Sequence, residues 1–170
     1  EMAYGYFAGG ARDELTLGAN RQTWSEIWLH YRTLVDVSGR TTDIRVLGIP
    51  VSSPLICAPM AFQRLAHDEG EVETARGVHA AGSIFTLSTL STVSIEDVAR
   101  DPSGPLWFQV YVYKDRGVTE NMIRRAEAAG YQAIVLTVDA AEIGTRERDM
   151  ATEFALPDGM HAANLEGTDL

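Results

Sequence analysis

The chain has 170 residues, 45% of them hydrophobic, and a net charge of −10. That acidic surplus argues against nucleic acid as a partner, because phosphate binding draws on Lys and Arg, and no apolar run approaches the ~20 residues of a membrane span. The single cysteine, Cys57, excludes an internal disulfide and suits a reducing, cytoplasmic compartment; within an apolar stretch it reads as a small buried hydrophobe.

Glu1 opens the chain without a methionine, so residues are expected to precede it. Positions 3–11 are dense in Gly and aromatics. Gly9-Gly10 can end a helix, and Tyr6 reads first as a packing aromatic and second as a phenol aimed into a site. Positions 20–29 place Trp24, Ile27 and Trp28 at helical spacing, which predicts a helix packed on the core. Arg45-Val-Leu-Gly-Ile-Pro-Val predicts a short hairpin turning at Gly48, of the kind that plugs the bottom of a barrel.

From position 54 the rhythm is strand, loop, helix. Apolar segments at 54–58, 84–88, 106–111 and 133–138 alternate with predicted helices at 70–81, 93–100 (closed by Pro102 and Gly104) and 118–129. In the last helix Val118, Met122, Ile123 and Ala126 share one face, and Glu120 with Arg124 makes an exposed i,i+4 pair. Ala80-Ala81-Gly82 and Ala128-Ala129-Gly130 each precede a strand, a faint two-unit repeat. Such alternation implies parallel strands with right-handed crossovers, and in an α/β barrel the C-terminal strand ends gather where sites are built. A complete barrel takes ~250 residues. The expected fold is therefore a (β/α)8 TIM barrel of which this chain is the N-terminal half. Helices and the hairpin fill 1–53, strands one to four with their crossovers fill 54–139, and a loop begins over 140–170. After Asp139 the pattern dissolves into Glu142-Ile-Gly-Thr-Arg-Glu-Arg-Asp, and nothing before Asp169-Leu170 closes a domain.

Neither a G-x-G-x-x-G after a strand nor a phosphate loop of the G-x-x-x-x-G-K type is present. His67-Asp68-Glu69 with Glu71 and Glu73 lies at a helix start, where acids suit the dipole, and reads as capping and solvation rather than a metal site. His30, His79 and His161 have no partner pattern and read as structural or surface residues. Arg146 and Arg148 divide evenly between a solvated loop and a clamp for an anionic substrate. The strand ends are better defined. Ser88, Gln109 and Thr137 can hydrogen-bond a flat heteroaromatic ring, Tyr111 can meet a reacting hydroxyl, and the backbone after Pro59 can approach a ring because Ala61 is small. A flavin or a pyridine would fit, and the pattern alone does not choose.

Five stretches carry a resemblance: YGYFAGGARDE (4–14), APMAFQRLAHDEGE (58–71), TLST (86–89), WFQVYVYKDR (107–116), and LTVD with GTRE (136–139 and 144–147). In this order, over nearly the whole chain, they resemble the FMN-dependent 2-hydroxy acid oxidases and dehydrogenases. The resemblance implies an FMN enzyme that oxidises a 2-hydroxy acid to the 2-oxo acid. It implies that the backbone at Pro59, Met60 and Ala61 faces the flavin's reactive nitrogen, and that Ser88, Gln109 and Thr137 bind the ring's polar edge. Tyr6 and Arg146 are implied at the substrate carboxylate, and Tyr111, the catalytic residue within this chain, at its hydroxyl side. The family's base, a His in an H-x-x-R motif, and its phosphate loops are implied beyond residue 170, in the remaining C-terminal half of the barrel. Met60 stands where the family commonly has Thr. Leu90 stands where glycolate oxidases have Trp, which implies a wider pocket for mandelate or 4-hydroxymandelate. Ala61, where mandelate dehydrogenases have Gly, implies dioxygen as acceptor and hydrogen peroxide as product, as in the 4-hydroxymandelate oxidases. A homotetramer is implied too. A mandelate- or lactate-type dehydrogenase, a non-catalytic barrel fragment and a phosphate-binding isomerase or synthase stay open, since fold does not fix chemistry.

Overall fold

The computed structural model describes residues 1–101, 103–140 and 144–167; Pro102, Glu142, Ile143, Asp169 and Leu170, named above, lie outside them. The chain forms two compact units, one of Glu1–Thr41 with Ala141–Ala155 and one of Thr42–Ala140 with Leu156–Leu170. Among the described residues no helix is long and apolar enough to cross a membrane.

The larger unit begins with the expected hairpin, β1 (Ile44–Val46) antiparallel to β2 (Ile49–Val51). Leu47 and Gly48 turn it with φ of 48° and 81°, the two positive values a type I′ turn needs. Ser52 N–H then donates to Gly82 O at 2.9 Å, which ties the hairpin to the N-terminal side of the sheet.

That sheet has three parallel strands, β3 (Phe85–Leu87), β4 (Leu106–Val110) and β5 (Ala133–Leu136), in that spatial order. The strand expected at 54–58 is reduced to a single parallel bridge between Cys57 and Phe85. Pro54 has no N–H to give a ladder, and Leu55 stays 74% exposed. Cys57 is half-buried rather than buried, and that burial pushes its thiol pKa up.

Crossovers are α3 (Gly70–Ala80), α4 (Ile95–Ala99) and α5 (Arg116–Ala128). The Ser94 side chain accepts from Asp97 N–H and the Asp115 side chain from Gly117 N–H, and these caps move the two starts from 93 to 95 and from 118 to 116. α3 and α5 end alike. Ser83 N–H reaches Val78 O at 3.1 Å and Tyr131 N–H reaches Ala126 O at 3.0 Å, across Gly82 and Gly130 at positive φ. The repeated Ala-Ala-Gly is a repeated helix stop.

Phe85, Leu87, Leu106, Phe108 and Val110 are buried together with Ile95, Val98, Met122 and Ala126 of the helices. Strand alternation then places Thr86, Trp107 and Gln109 on the opposite face. On β5 this covering stops, leaving Ile134 40% and Leu136 51% exposed.

The smaller unit holds α1 (Met2–Ala8), α2 (Leu15–Glu26) and a short α6 (Glu147–Ala151), the last standing where the pattern was expected to dissolve. The core helix expected at 20–29 is overturned: α2 stops before Ile27, and Trp24, Ile27 and Trp28 are 77%, 58% and 88% exposed. Asn20, Arg21, Gln22 and Ser25 interrupt the apolar stripe, and among its described residues this unit has no sheet to receive one.

Candidate active site

Three strand ends of the larger unit meet through side chains. The Gln109 Oε1 accepts from Thr89 N–H at 3.1 Å and from Ser88 O–H at 3.4 Å, while its Nε2 donates to Thr137 Oγ1 at 2.8 Å. Thr89 O–H also donates to the Gln109 carbonyl at 2.6 Å. These bonds orient the amide, with oxygen towards β3 and nitrogen towards β5. Two donors saturate Oε1, whereas Nε2 keeps one hydrogen and the Thr137 hydroxyl, having accepted, keeps its own. Ser88 spends its hydrogen on Gln109 and accepts from Leu90 N–H, so the outward donors of the row are one Nε2 hydrogen of Gln109 and the Thr137 hydroxyl. That chemistry fits the carbonyls and ring nitrogens along the polar edge of a flavin.

The Pro59-Met60-Ala61 segment runs beside this row. Thr86 N–H donates to Cys57 O and Phe62 N–H to Leu90 O, both at 3.2 Å. Glu71, expected among solvated capping acids, is instead wholly buried. It accepts from Gln63 N–H at 3.1 Å, Thr92 N–H at 2.8 Å and Thr92 O–H at 2.7 Å. A signal was present in the spacing, because Ala75 and Val78 stand four and seven residues on, along the stripe that packs against the core.

Tyr111 lies one residue past β4, half-buried, and its phenol makes no hydrogen bond among the described residues. Burial, and then Tyr111 itself, pushes the neighbouring Tyr113 phenol above its usual pKa. His79 has partners that the sequence did not reveal: its ring nitrogens sit 3.1 Å from Ser103 Oγ and 3.1 Å from Pro105 O. His161 Nε2 is 3.4 Å from Glu166. Asn164 was also missed. Buried near the end of the unit, its Oδ1 accepts from Ile95 N–H at 2.9 Å and its Nδ2 donates to Ser91 Oγ at 2.8 Å.

In the smaller unit Tyr6 and Arg146 meet. Arg146 precedes α6, donates from Nη2 to the Tyr6 carbonyl, and lies 4.9 Å over the Tyr6 ring. Its Nε is 2.7 Å from Asp149 Oδ2, a charge contact whose N–H points off the bond line, and Nη1 has no hydrogen bond among the described residues. Tyr6 packs as expected, stacked on Phe154 at 4.7 Å and edge-on to Phe7 at 5.2 Å. Arg148 is taken up by Glu14 at 2.6 Å. The Glu14 carboxyl is held below its usual pKa first by the Gly10 N–H and then by Arg148.

A family model described as FMN-dependent dehydrogenase matches residues 1–169. Glycolate oxidase 1 of Zea mays is 49% identical over 170 residues, covering 100% of this chain and 46% of that protein. L-lactate oxidase of Nostoc sp. is 52% identical over 169 residues, covering 97% of this chain and 46% of that protein. A solved mandelate oxidase variant with (S)-mandelic acid superposes with a TM-score of 0.92 at 41% identity, over 96% of this chain and 48% of that one. The chain spans about half the length of the curated relatives it matches. Its parallel strands and crossover helices are those of the N-terminal half of a TIM barrel. By sequence match and by structure, the chain belongs to the FMN-dependent dehydrogenase family.

Proposed function

We propose that the protein oxidises a 2-hydroxy acid, mandelate or 4-hydroxymandelate, to the 2-oxo acid, with dioxygen as acceptor and hydrogen peroxide as product. The observation that carries this reading is the hydrogen-bonded row of Ser88, Gln109 and Thr137, which leaves an Nε2 hydrogen of Gln109 and the Thr137 hydroxyl as outward donors. Bound FMN supplies the two-electron acceptor. Gln109 and Thr137 hold its polar edge, and the backbone at Pro59, Met60 and Ala61 backs its reactive nitrogen. The Tyr111 phenol hydrogen-bonds the substrate hydroxyl. Arg146 and Tyr6 take the carboxylate, a task for which a guanidinium's paired donors are suited. Leu90 leaves room for an aromatic ring, and the (S)-mandelic acid complex of a relative supports that choice. We further propose a homotetramer.

The test is a single turnover. With FMN bound and air excluded, (S)-mandelate should bleach the flavin absorbance, and readmitted air should restore it with one hydrogen peroxide per cycle. A flavin bleached by glycolate or lactate but untouched by mandelate would overturn the aromatic substrate. A bleached flavin that air leaves unchanged would point instead to the dehydrogenase.

A further inference from the structure

We propose that Glu71 is a positioning residue, which fixes the path of the Met60–Gln63 backbone from a helix that never touches the ligand. The last step of this inference rests on the flavin reading above; the clamp itself does not. A fully buried carboxyl group is rare without partners, and the partners of Glu71 all come from two loops. Gln63 belongs to the loop after Cys57, and Thr92 to the loop after β3. Arg64 N–H also donates to Thr92 Oγ1 at 3.3 Å, so the two loops are sewn together around one side chain of α3.

From Gln63 the grip passes on to Met60. Gln63 Nε2 donates to Met60 O at 3.3 Å, and its Oε1 accepts from Thr74 O–H at 2.6 Å. Between them Phe62 has a φ of 57°, a left-handed conformation that a bulky residue keeps only where its surroundings impose it. Glu71 supplies that constraint at the next peptide N–H. Without its oxygens two buried N–H groups would have no acceptor, and the loop could recover them only by opening towards water. The moving part would be the backbone proposed to lie against the flavin.

Two substitutions separate this role from general support of the core. Glu71→Met keeps the volume and removes both acceptors. Glu71→Gln keeps an oxygen for the two N–H groups and turns its amide nitrogen to the Thr92 hydroxyl, which can accept. Hydrogen exchange of the full protein without FMN, read on peptides covering 57–66 and 106–110, reports the clamp, and FMN affinity is measured separately by flavin fluorescence. In Glu71→Met, exchange across 57–66 should rise about tenfold while 106–110 changes less than about twofold, and FMN should bind about tenfold more weakly. Glu71→Gln should recover most of both. Equal acceleration in the two peptides, no acceleration in 57–66, or a Glu71→Gln as impaired as Glu71→Met would overturn the proposal. If Glu71→Met does not fold, Gln63→Met cuts the relay to Met60 instead, and unchanged exchange and FMN affinity there would be equally fatal. Should the unaltered protein take up no FMN, the flavin reading falls, and the exchange ratio still decides what Glu71 does.

Discussion

Gln109 cannot turn its amide over without setting its Nε2 against the buried Thr89 N–H, since only its two hydroxyl partners can exchange donor and acceptor roles. Gln109→Leu would therefore strand the buried Thr89 N–H, costing about 1–3 kcal/mol in thermal unfolding as well as FMN affinity. Thr137→Val removes one outward donor and leaves the Oε1 bonds intact, so FMN binding should weaken with little change in melting. If both variants lose stability and affinity in proportion, the row is a structural strut and nothing more. Tyr111→Phe should slow flavin reduction by about 10- to 100-fold with FMN affinity unchanged, and stopped-flow absorbance would show it; an unaltered rate would release Tyr111 from its role. These polar side chains were legible in the sequence because each ends an apolar run, where the residue type alone carries the chemistry. Glu71 was not, because the same letter serves a solvated cap and a buried anchor, and only the neighbouring stripe distinguishes them.

At the scale of elements, α4 and α5 are joined by Arg125, whose Nε and Nη2 lie 2.7 and 2.8 Å from the Glu96 carboxyl oxygens. The Arg125 hydrogen bonds hold that carboxyl below its ordinary value of 4.5. A group whose pKa is lower when folded stabilises fully above its unfolded pKa, and the contribution is lost as pH falls through the folded one. The advantage of the natural protein over Glu96→Gln should thus shrink steadily below pH 4.5, in unfolding curves taken across that range. Curves that stay parallel into acid would dismiss the pair. The two helix stops also differ measurably. A Cβ at Gly82 would overlap Ser52 Oγ, while one at Gly130 meets nothing within 4 Å, so Gly82→Ala should melt well below Gly130→Ala. α3 and α5 could be read from sequence because apolar period and Ala-Ala-Gly punctuation agree. The segments at 54–58 and 20–29 misled for one shared reason: periodicity reports how polar a face is, not whether anything stands opposite to cover it.

For the whole molecule, strand and helix alternation from position 54 onward announced the barrel, since each crossover is encoded locally. The division into two units was hidden, because it depends on a return from far along the chain. Arg12 N–H meets Thr145 O at 2.8 Å and Arg148 meets Glu14, pairings that no local pattern specifies. β5 adds a consequence of its own. Its backbone is paired on one side only among the described residues, and Ile134, Leu136 and Val138 face solvent beside it. A bare, apolar strand margin recruits other chains. Solutions of residues 1–170 alone should therefore grow turbid with concentration, and Ile134→Lys should raise the concentration at which light scattering sets in. How much of this polypeptide a tube of buffer can hold clear is decided by one four-residue ribbon.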